Sequence, residues 1–284
     1  MKDFVFKIFL VVIITLPSSC SKDRFDIDNL NHNTIMILGH RGMGEGYKYP
    51  DNSAKSILTV LGIGADGSEV DVQMTKDSVL VLFHDEYLDD LTTHSGRVIN
   101  KTWEELADCV YDSESNKEPL ISVEELFTEI GNVEDYYFSF DCKLSPNVHG
   151  TPEHNSTFLR AIERINQRYN MSDNIFIEGD EEFLLLARQI GLKNKGCLVR
   201  AITKSGAIDL AEEHGFFSVG FSYFVDEELV DRSHDLGIRV MVWSPNNSYE
   251  NKRAVNRNVD IIQTDAPIPI LKQLNRFNYE YDMP

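Results

Sequence analysis

Short apolar runs alternate with amphipathic stretches along most of this chain of 284 residues. Several stretches carry apolar side chains three and four positions apart, a spacing that predicts helices facing a core. Strands that alternate with helices form a parallel sheet, and eight repeats predict an α/β fold, the TIM (β/α)8 barrel. The eight predicted strands are Ile35–Gly39, Ala65–Asp71, Tyr137–Lys143, Asn174–Glu178, Gly196–Arg200, Ser218–Phe221, Ile238–Trp243 and Asp260–Thr264. The predicted helices between them are Ser53–Gly62, Glu153–Tyr169, Glu181–Ile190, Ala207–His214 and Glu227–Leu236.

One apolar run breaks this rhythm. Val79–Phe83 follows the second predicted strand too closely for the crossover that a parallel pair requires, so the two are predicted to be antiparallel. With Lys76 and Asp77 as a two-residue turn, the register places His84 opposite Glu69, where Cβ atoms lie roughly 4.5–5.5 Å apart. The hairpin is therefore predicted to fold His84 back beside the second strand.

The beginning of the chain differs from the rest. A positive start and an apolar run too short for a bilayer lead to small residues and Cys20, which resembles a bacterial lipoprotein signal. We expect residues 1–19 to be removed and Cys20 to carry a lipid that anchors the protein to a membrane outside the cytoplasm; the alternative is an ordinary secretory signal. Residues 20–33 are predicted to be a flexible tether and residues 34–284 the barrel domain. Residues 85–135, without a predicted barrel strand, are interpreted as a small insertion over the barrel mouth after the second strand, followed by the helix that leads into the third. Trp103–Leu106 and Val123–Phe127 are both helix-like.

Acidic residues outnumber basic ones, 46 against 27, and the formal net charge is −19. Such a surface argues against nucleic acid as a partner, because nucleic acid requires basic patches. It also repels anionic substrates at long range, so a phosphate site must be positive locally. The cysteines other than Cys20 show no spacing typical of zinc sites or disulfides and are predicted to be packing residues: Cys109, Cys142 and Cys197.

Polar side chains follow the predicted strands at the end where barrel enzymes hold their chemistry. Alternation along a strand sends Glu69 and Asp71 to one face, and it likewise pairs Asp141 with Lys143. Converging carboxylates suit a hard cation, Mg²⁺ or Ca²⁺, which would polarise a phosphoryl oxygen. Lys143 and Arg41 would add donors for other phosphate oxygens. Each of these residues alone is commonly a surface or salt-bridged charge; their coincidence at neighbouring strand ends favours a site.

Two histidines complete the candidate chemistry. Near neutral pH, His40 and His84 can act as an acid–base pair, one accepting a proton from the attacking water or hydroxyl and the other protonating the leaving alkoxide. The sequence leaves open which does which. Trp243, at the seventh strand end, is predicted either to pack against a substrate moiety or to face the barrel core.

Taken together, these segments resemble the glycerophosphodiester phosphodiesterase family. The resemblance runs from about Ile35 to Pro267, nearly the whole chain after the predicted signal. It implies a TIM barrel with a small insertion, a divalent metal, and hydrolysis of a glycerophosphodiester to glycerol 3-phosphate and an alcohol. The matching segments are His40-Arg41-Gly42, Pro50-Asp51-Asn52, Glu69-Val70-Asp71, Thr75-Lys76-Asp77, His84-Asp85, Asp141-Cys142-Lys143, Trp243-Ser244-Pro245-Asn246 and Thr264-Asp265-Ala266-Pro267. The implied site residues are Glu69, Asp71 and Asp141 for the metal, His40 and His84 for catalysis, and Arg41 and Lys143 for phosphate.

Four positions depart from the family pattern. Asp141 replaces a glutamate, which shortens the third metal ligand by one methylene, and Asp51 replaces another glutamate. The loop Met43–Tyr49 is longer than is usual in the family. Glu178 stands where the family tends to have serine; we expect a solvated strand end, with reach into the site as the alternative.

Three functional hypotheses remain from the sequence. The first is a lipid-anchored hydrolase of glycerophosphodiesters. The second is a related barrel phospholipase acting on lysophospholipid or inositol lipid, although the acidic insertion is unsuited to bilayer docking. The third is a non-catalytic phosphodiester-binding lipoprotein, which the retention of both histidines argues against.

Overall fold

The computed structural model describes residues 25–112, 117–144, 151–199 and 201–284. Eight parallel strands alternate with helices, and the first strand pairs with both the second and the last, which closes the barrel. The predicted fold is therefore confirmed. The strands are β1 Met36–His40, β2 Gly67–Met74, β3 Leu80–Leu82, β4 Tyr137–Cys142, β5 Ile175–Gly179, β6 Lys195–Leu198, β7 Ser218–Ser222, β8 Arg239–Trp243 and β9 Ile261–Thr264. The helices are α1 Ala54–Gly62, α2 Val123–Ile130, α3 Pro152–Tyr169, α4 Glu181–Gln189, α5 Lys204–His214, α6 Glu227–Asp235, α7 Ser248–Asn256 and α8 Pro267–Gln273.

Alternation along the strands produces two apolar layers. Outward side chains such as Phe138 and Phe140 pack against Phe127 of α2, with ring centroids 4.8 and 6.5 Å apart. Cys142 also faces outward, fully buried, as its strand position predicts. A separate inner cluster fills the barrel and consists of Leu38, Phe176, Cys197, Met241 and Ile261. This filling leaves only the barrel ends free to hold a site.

The antiparallel hairpin is present, but its predicted register is wrong by one residue. Val72 pairs with Leu82, which makes the turn three residues long, Lys76–Ser78, rather than two. Ser78 adopts a left-handed backbone with φ of 65°, a conformation typical of three-residue hairpin loops but usually signalled by glycine. Glu69 therefore does not face His84 across the ladder; His84 lies beyond the last paired residue.

The insertion predicted over residues 85–135 packs on this hairpin. Leu88, Val98, Leu106 and Tyr111 form a small apolar cluster with the hairpin residue Phe83. The helix that leads into β4, α2, begins at a capping box. The hydroxyl of its N-cap serine accepts a hydrogen bond from the backbone N–H of the glutamate three positions later, and the side chain of that glutamate accepts one from the backbone N–H of the serine. The hairpin thus carries the insertion to the edge of the barrel mouth.

The predicted tether needs a correction at its end. The Asn29 amide donates a hydrogen bond to the Val259 carbonyl oxygen at 3.1 Å, and the Leu30 N–H donates to an Asp260 carboxylate oxygen at 2.8 Å. These contacts attach the segment to the amino-terminal end of the barrel, because both acceptors belong to the residues that lead into β9. The predicted signal and Cys20 lie outside the described residues. Within the described part of the chain, no helix is sufficiently long and apolar to span a bilayer.

Candidate active site

The turn after β1 brings His40 and Arg41 to the barrel mouth. A Cβ on Gly39 would lie 1.9 Å from the Gly42 carbonyl oxygen, so only glycine fits the first position of this turn. Arg41 itself has a left-handed backbone, with φ of 56°. Its N–H donates to a Glu69 carboxylate oxygen at 2.9 Å, which compensates for the strained conformation. The glycines therefore allow a sharp turn that presents two functional side chains beside β2.

Three carboxylates converge at the same end of the barrel. The parallel register places Asp71 of β2 level with Asp141 of β4, and Glu69 lies two residues earlier on the same face. One oxygen from each of the three lies within 4.8 Å of the others. Oxygen donors at this spacing suit a hard divalent cation.

Asp71 is the centre of the ionic network. Its buried carboxylate lies 3.1 Å from the Arg41 Nε and 3.0 Å from the Lys143 Nζ, and it accepts a hydrogen bond from the Asn52 amide at 2.7 Å. Lys143 also pairs with Asp141. Burial opposes ionisation of Asp71, but the two cations outweigh it and hold its pKa below the ordinary range. Burial likewise opposes the charge of Lys143, yet its two carboxylate partners raise its pKa.

Glu69 has the opposite environment. Its carboxyl is buried and lies near three other carboxyl groups, of Asp71, Glu178 and Asp141. Burial first, and then this crowding, raises the pKa of Glu69 well above its ordinary value, although Arg41 partly opposes the shift. The site thus confines more negative charge than its own cations balance.

We expect Glu69→Gln to raise the free energy of unfolding of the metal-free protein by about 1 kcal/mol at neutral pH. A raised carboxyl pKa means that the folded state holds the proton more tightly, so stability is lost as pH rises above about 4.3, the unfolded value, through the folded pKa. Glutamine carries no such charge and still accepts the Arg41 hydrogen bond. Urea titrations of both proteins from pH 4 to pH 8, in chelator, measure the difference. An unchanged difference across this range would contradict the expectation.

Both histidines are held through the same ring nitrogen. The Nδ1 atom of His40 lies 2.7 Å from a carboxylate oxygen of Asp265. The Nδ1 atom of His84 lies 2.6 Å from a carboxylate oxygen of Asp85. A carboxylate at Nδ1 favours the proton there, which leaves Nε2 of the neutral ring as the proton acceptor. The His40 Nε2 atom points into the site, 3.8 Å from Glu69. His84 lies close enough to Asp71 to help lower the pKa of that carboxyl.

Glu178 is not a solvated strand end, and that expectation was wrong. It is only 5% exposed, and its carboxylate accepts hydrogen bonds from the Ser139 hydroxyl and the Gln263 amide, both at 2.5 Å. It lies beside Asp141 in the register between β4 and β5. The position of a residue in its strand does not show how deeply its side chain is buried, because the groups that bury Glu178 come from other strands.

A cavity of about 320 Å³ lies at the barrel mouth, and Glu69, Glu178 and His40 are among the residues that line it. Trp243, for which the sequence left two alternatives open, is half-buried and lines this cavity. Phe221 belongs instead to the outer apolar core. A larger cavity of about 600 Å³ lies at the opposite, amino-terminal end and contains none of the predicted site residues. The residues that line the mouth cavity together with Trp243 are His40, Arg41, Glu69, Asp141, Lys143, Glu178, Val199, Ser244 and Gln263.

Two further residues of the family-matching segments, Asn52 and Asp265, take part in the site. Asn52 donates to the Asp71 carboxylate and accepts from the Asp71 N–H at 3.0 Å, so it aligns the carboxylate. Asp265 follows β9 and reaches His40. Asp265 directly follows a predicted barrel strand, at the same end of the barrel as His40, and this position in the sequence could have indicated the contact. The structure brings His40, Arg41, Glu69, Asp71, His84, Asp141, Lys143 and Trp243 to one mouth; their individual roles stay predictions.

Comparison with known proteins decides the family. The model of the glycerophosphoryl diester phosphodiesterase family matches residues 40–268. The chain belongs to this family. A glycerophosphodiester phosphodiesterase of Caldanaerobacter subterraneus subsp. tengcongensis is 24% identical over 249 residues, which cover 85% of this chain and 98% of that relative. The expectation of an enzyme that hydrolyses glycerophosphodiesters is thereby confirmed.

Solved structures show the same fold. A putative glycerophosphoryl diester phosphodiesterase from Silicibacter pomeroyi superimposes with a TM-score of 0.75 at 20% identity, over 85% of this chain and 93% of that one. A phosphodiesterase from Oleispira antarctica, solved with the product sn-glycerol-3-phosphate, gives a TM-score of 0.73 at 17% identity, over 87% of this chain and all of that one. At these identities the likeness extends to the barrel architecture.

Proposed function

We propose that this phosphodiesterase cleaves glycerophosphodiesters to glycerol 3-phosphate and an alcohol, using a divalent cation, Mg²⁺ or Ca²⁺, and two histidines. The observation that carries the proposal is the cluster of three carboxylates, Glu69, Asp71 and Asp141, beside a mouth cavity that two cationic side chains and His40 also line. Glycerol 3-phosphate is the product bound in the Oleispira antarctica structure, and the barrel here is of the same kind.

The donor set fits the cation. Glu69, Asp71 and Asp141 offer hard oxygen ligands within reach of one another, and carboxylates outnumber cationic side chains around the cavity. An anionic phosphodiester would be repelled by this excess unless further positive charge is added. When bound there, a divalent cation supplies that charge and polarises a phosphoryl oxygen. The shorter reach of Asp141 keeps its ligand chemistry.

The protein's own cations would orient the phosphate. Arg41 and Lys143 are already fixed on Asp71 by the ionic network, and both line the mouth cavity. Their remaining N–H groups can donate to phosphate oxygens in a charge-assisted geometry. The side chains are thus preorganised, and little conformational entropy remains to be lost when substrate binds.

Proton transfer is assigned to His40 and His84. Each ring is oriented by a carboxylate at Nδ1 and presents Nε2 as the exchanging atom. One histidine accepts a proton from the attacking water, whose oxygen bonds to phosphorus as the bond from phosphorus to the alcohol oxygen breaks. The other histidine gives a proton to the departing alkoxide. Trp243 would pack against the glycerol moiety on the wall of the mouth cavity.

A direct assay tests this function. We expect purified protein to release glycerol 3-phosphate from glycerophosphocholine or glycerophosphoethanolamine, to lose this activity in chelator, and to regain it with Mg²⁺ or Ca²⁺. The enzyme-coupled measurement of glycerol 3-phosphate gives the rate, and circular dichroism verifies folding in each condition. A folded protein that releases no glycerol 3-phosphate from any glycerophosphodiester with either metal would refute the proposal.

A lysophospholipid substrate is the second candidate, favoured by one surface feature. Large apolar side chains that follow β6, β7 and β8 at the barrel mouth are exposed, namely Ile202, Phe224 at 51% and Tyr249 at 74%. An apolar rim of this kind can receive an acyl chain. In the same assay, faster cleavage of lysophosphatidylcholine than of glycerophosphocholine would favour this candidate.

We also propose that the protein acts outside the cytoplasm, anchored to a membrane through a lipid on Cys20. The support is the short apolar run and small residues that precede this cysteine. We expect Cys20→Ser to move the protein from the membrane fraction to the soluble fraction of expressing cells, detected by immunoblot. Equal membrane association of parent and variant would exclude the anchor, and a Cys109→Ser variant is the matched control.

A further inference from the structure

A second cavity, of about 260 Å³, is lined by Arg41 and Asn52, both of which contact Asp71. Arg41 lines both this cavity and the mouth cavity and thus forms the partition between them. His84 and Asp85 form another part of the wall of the second cavity. A phosphate held by Arg41 can therefore direct one ester group into each cavity, and nothing described so far assigns an occupant to the second.

The walls of the second cavity combine aromatic rings with an excess of carboxylates. Among the described residues that line it, Arg41 supplies the one guanidinium, and this group is already paired with Asp71 at 3.1 Å and with Asp51 at 3.5 Å. Burial, and after it the nearby carboxylates of Asp71, Asp51 and Asp85, raises the pKa of the Tyr111 hydroxyl well above its ordinary value. The aromatic side chains are Tyr47, Tyr49, Phe83 and Tyr111, and the carboxylates are Glu45, Asp51 and Asp85.

The same elements give the cavity features that suit a cation. Electron-rich ring faces attract ammonium groups, most strongly where water is partly excluded. Tyr49 already shows this property. The Lys55 ammonium, which is paired with Glu118 at 2.8 Å, lies 5.0 Å from the centroid of its ring, and the Lys48 ammonium lies 5.2 Å from it. The long loop Met43–Tyr49 supplies both Tyr49 and Glu45. The segment in which this chain departs from the family pattern therefore builds the wall.

We propose that the second cavity binds a cationic amino-alcohol headgroup, so that the enzyme prefers glycerophosphodiesters of choline or ethanolamine to those with neutral polyol headgroups. This inference rests on the proposed function. The aromatic rings contact the methyl or methylene groups that carry the positive charge, and the carboxylates balance that charge. The phosphate remains on Arg41 and Lys143, and the glycerol moiety occupies the mouth cavity beside Trp243.

The test compares kcat/KM for glycerophosphocholine, glycerophosphoethanolamine and glycerophosphoglycerol. We expect the two cationic substrates to exceed the neutral one by about tenfold, and the double variant Glu45→Gln/Asp51→Asn to remove most of this preference. Because Asp51 pairs with Arg41, its replacement can also change how Arg41 holds the phosphate. That change affects all three substrates alike and cancels in the ratio of their kcat/KM values. The matched control is Glu213→Gln, an exposed carboxylate near the end of α5, at the opposite end of the barrel, which should keep the preference.

Two further measurements separate rings from charges. Tyr49→Leu should lower kcat/KM for glycerophosphocholine about fivefold, with a smaller effect on the ethanolamine substrate, which can hydrogen-bond to the carboxylates. Tetramethylammonium chloride should inhibit the parent competitively beyond sodium chloride of equal ionic strength, and less so in the double variant. Equal kcat/KM for all three substrates, or equal inhibition by both salts, would overturn the inference alone. Hydrolysis of none of them would overturn the proposed function itself.

Discussion

His84→Ala is expected to lower kcat about 1000-fold while the affinity for glycerol 3-phosphate changes little. The ring stands at the edge of the site, oriented by Asp85, and the Asp71 network that would hold metal and phosphate does not depend on it for hydrogen bonds. Its removal therefore deletes a proton-transfer group and leaves the phosphate-binding groups, Arg41 and Lys143, in place. Steady-state kinetics give kcat, and competitive inhibition by glycerol 3-phosphate measures affinity.

His94→Ala provides the control for this experiment. His94 is also part of the region after the hairpin and pairs with Asp108 at 3.2 Å, but it does not line either cavity at the barrel mouth. Its loss should leave kcat within about twofold, as for other surface substitutions. Equal and low activity in the parent and in His84→Ala would instead favour a binding protein that has lost turnover.

Asp71→Asn is expected to have the largest combined effect on stability and function. Asparagine leaves Arg41 and Lys143 without their shared buried partner, which costs about 3 kcal/mol of unfolding free energy and lowers Tm by about 10 °C. The amide is also a poor ligand for a hard cation, so metal affinity should fall about 100-fold or more. Thermal unfolding monitored by circular dichroism, and calorimetric titration with Mg²⁺ or Ca²⁺, measure the two effects.

Asp66→Asn is the matched change at the other end of the barrel. Asp66 also accepts from an arginine, Arg276 at 2.5 Å, and from the Ile37 N–H at 2.7 Å, but its side chain is 30% exposed. Solvent screens such a pair, so its loss should cost about 1 kcal/mol or less and leave metal binding unchanged. If Asp71→Asn bound metal as tightly as Asp66→Asn does, Asp71 would not be a ligand.

Local periodicity predicted much of the fold for a physical reason. Strand alternation requires only the order of residues, so it placed Asp141 with Lys143 on one face and turned Cys142 outward, as the structure shows. The hairpin register failed at Ser78, because the sequence carries no glycine to signal a left-handed turn residue there. Two helices, α7 and α8, were also missed. The buried face of α7 consists only of Asn251, Ala254 and Val255, and α8 is only seven residues long.

The sequence by itself determined the barrel, the polar strand ends and the set of residue types that a metal-assisted hydrolysis requires. These follow from periodicity, from alternation, and from motifs in which neighbours along the chain are neighbours in space. Only the tertiary structure decided that Glu178 is buried against Ser139 and Gln263, and that Asp265 orients His40. These contacts join distant strands when the barrel closes. The second cavity has the same origin, because its walls come from the long loop after β1 and from the insertion, which meet only in the folded protein.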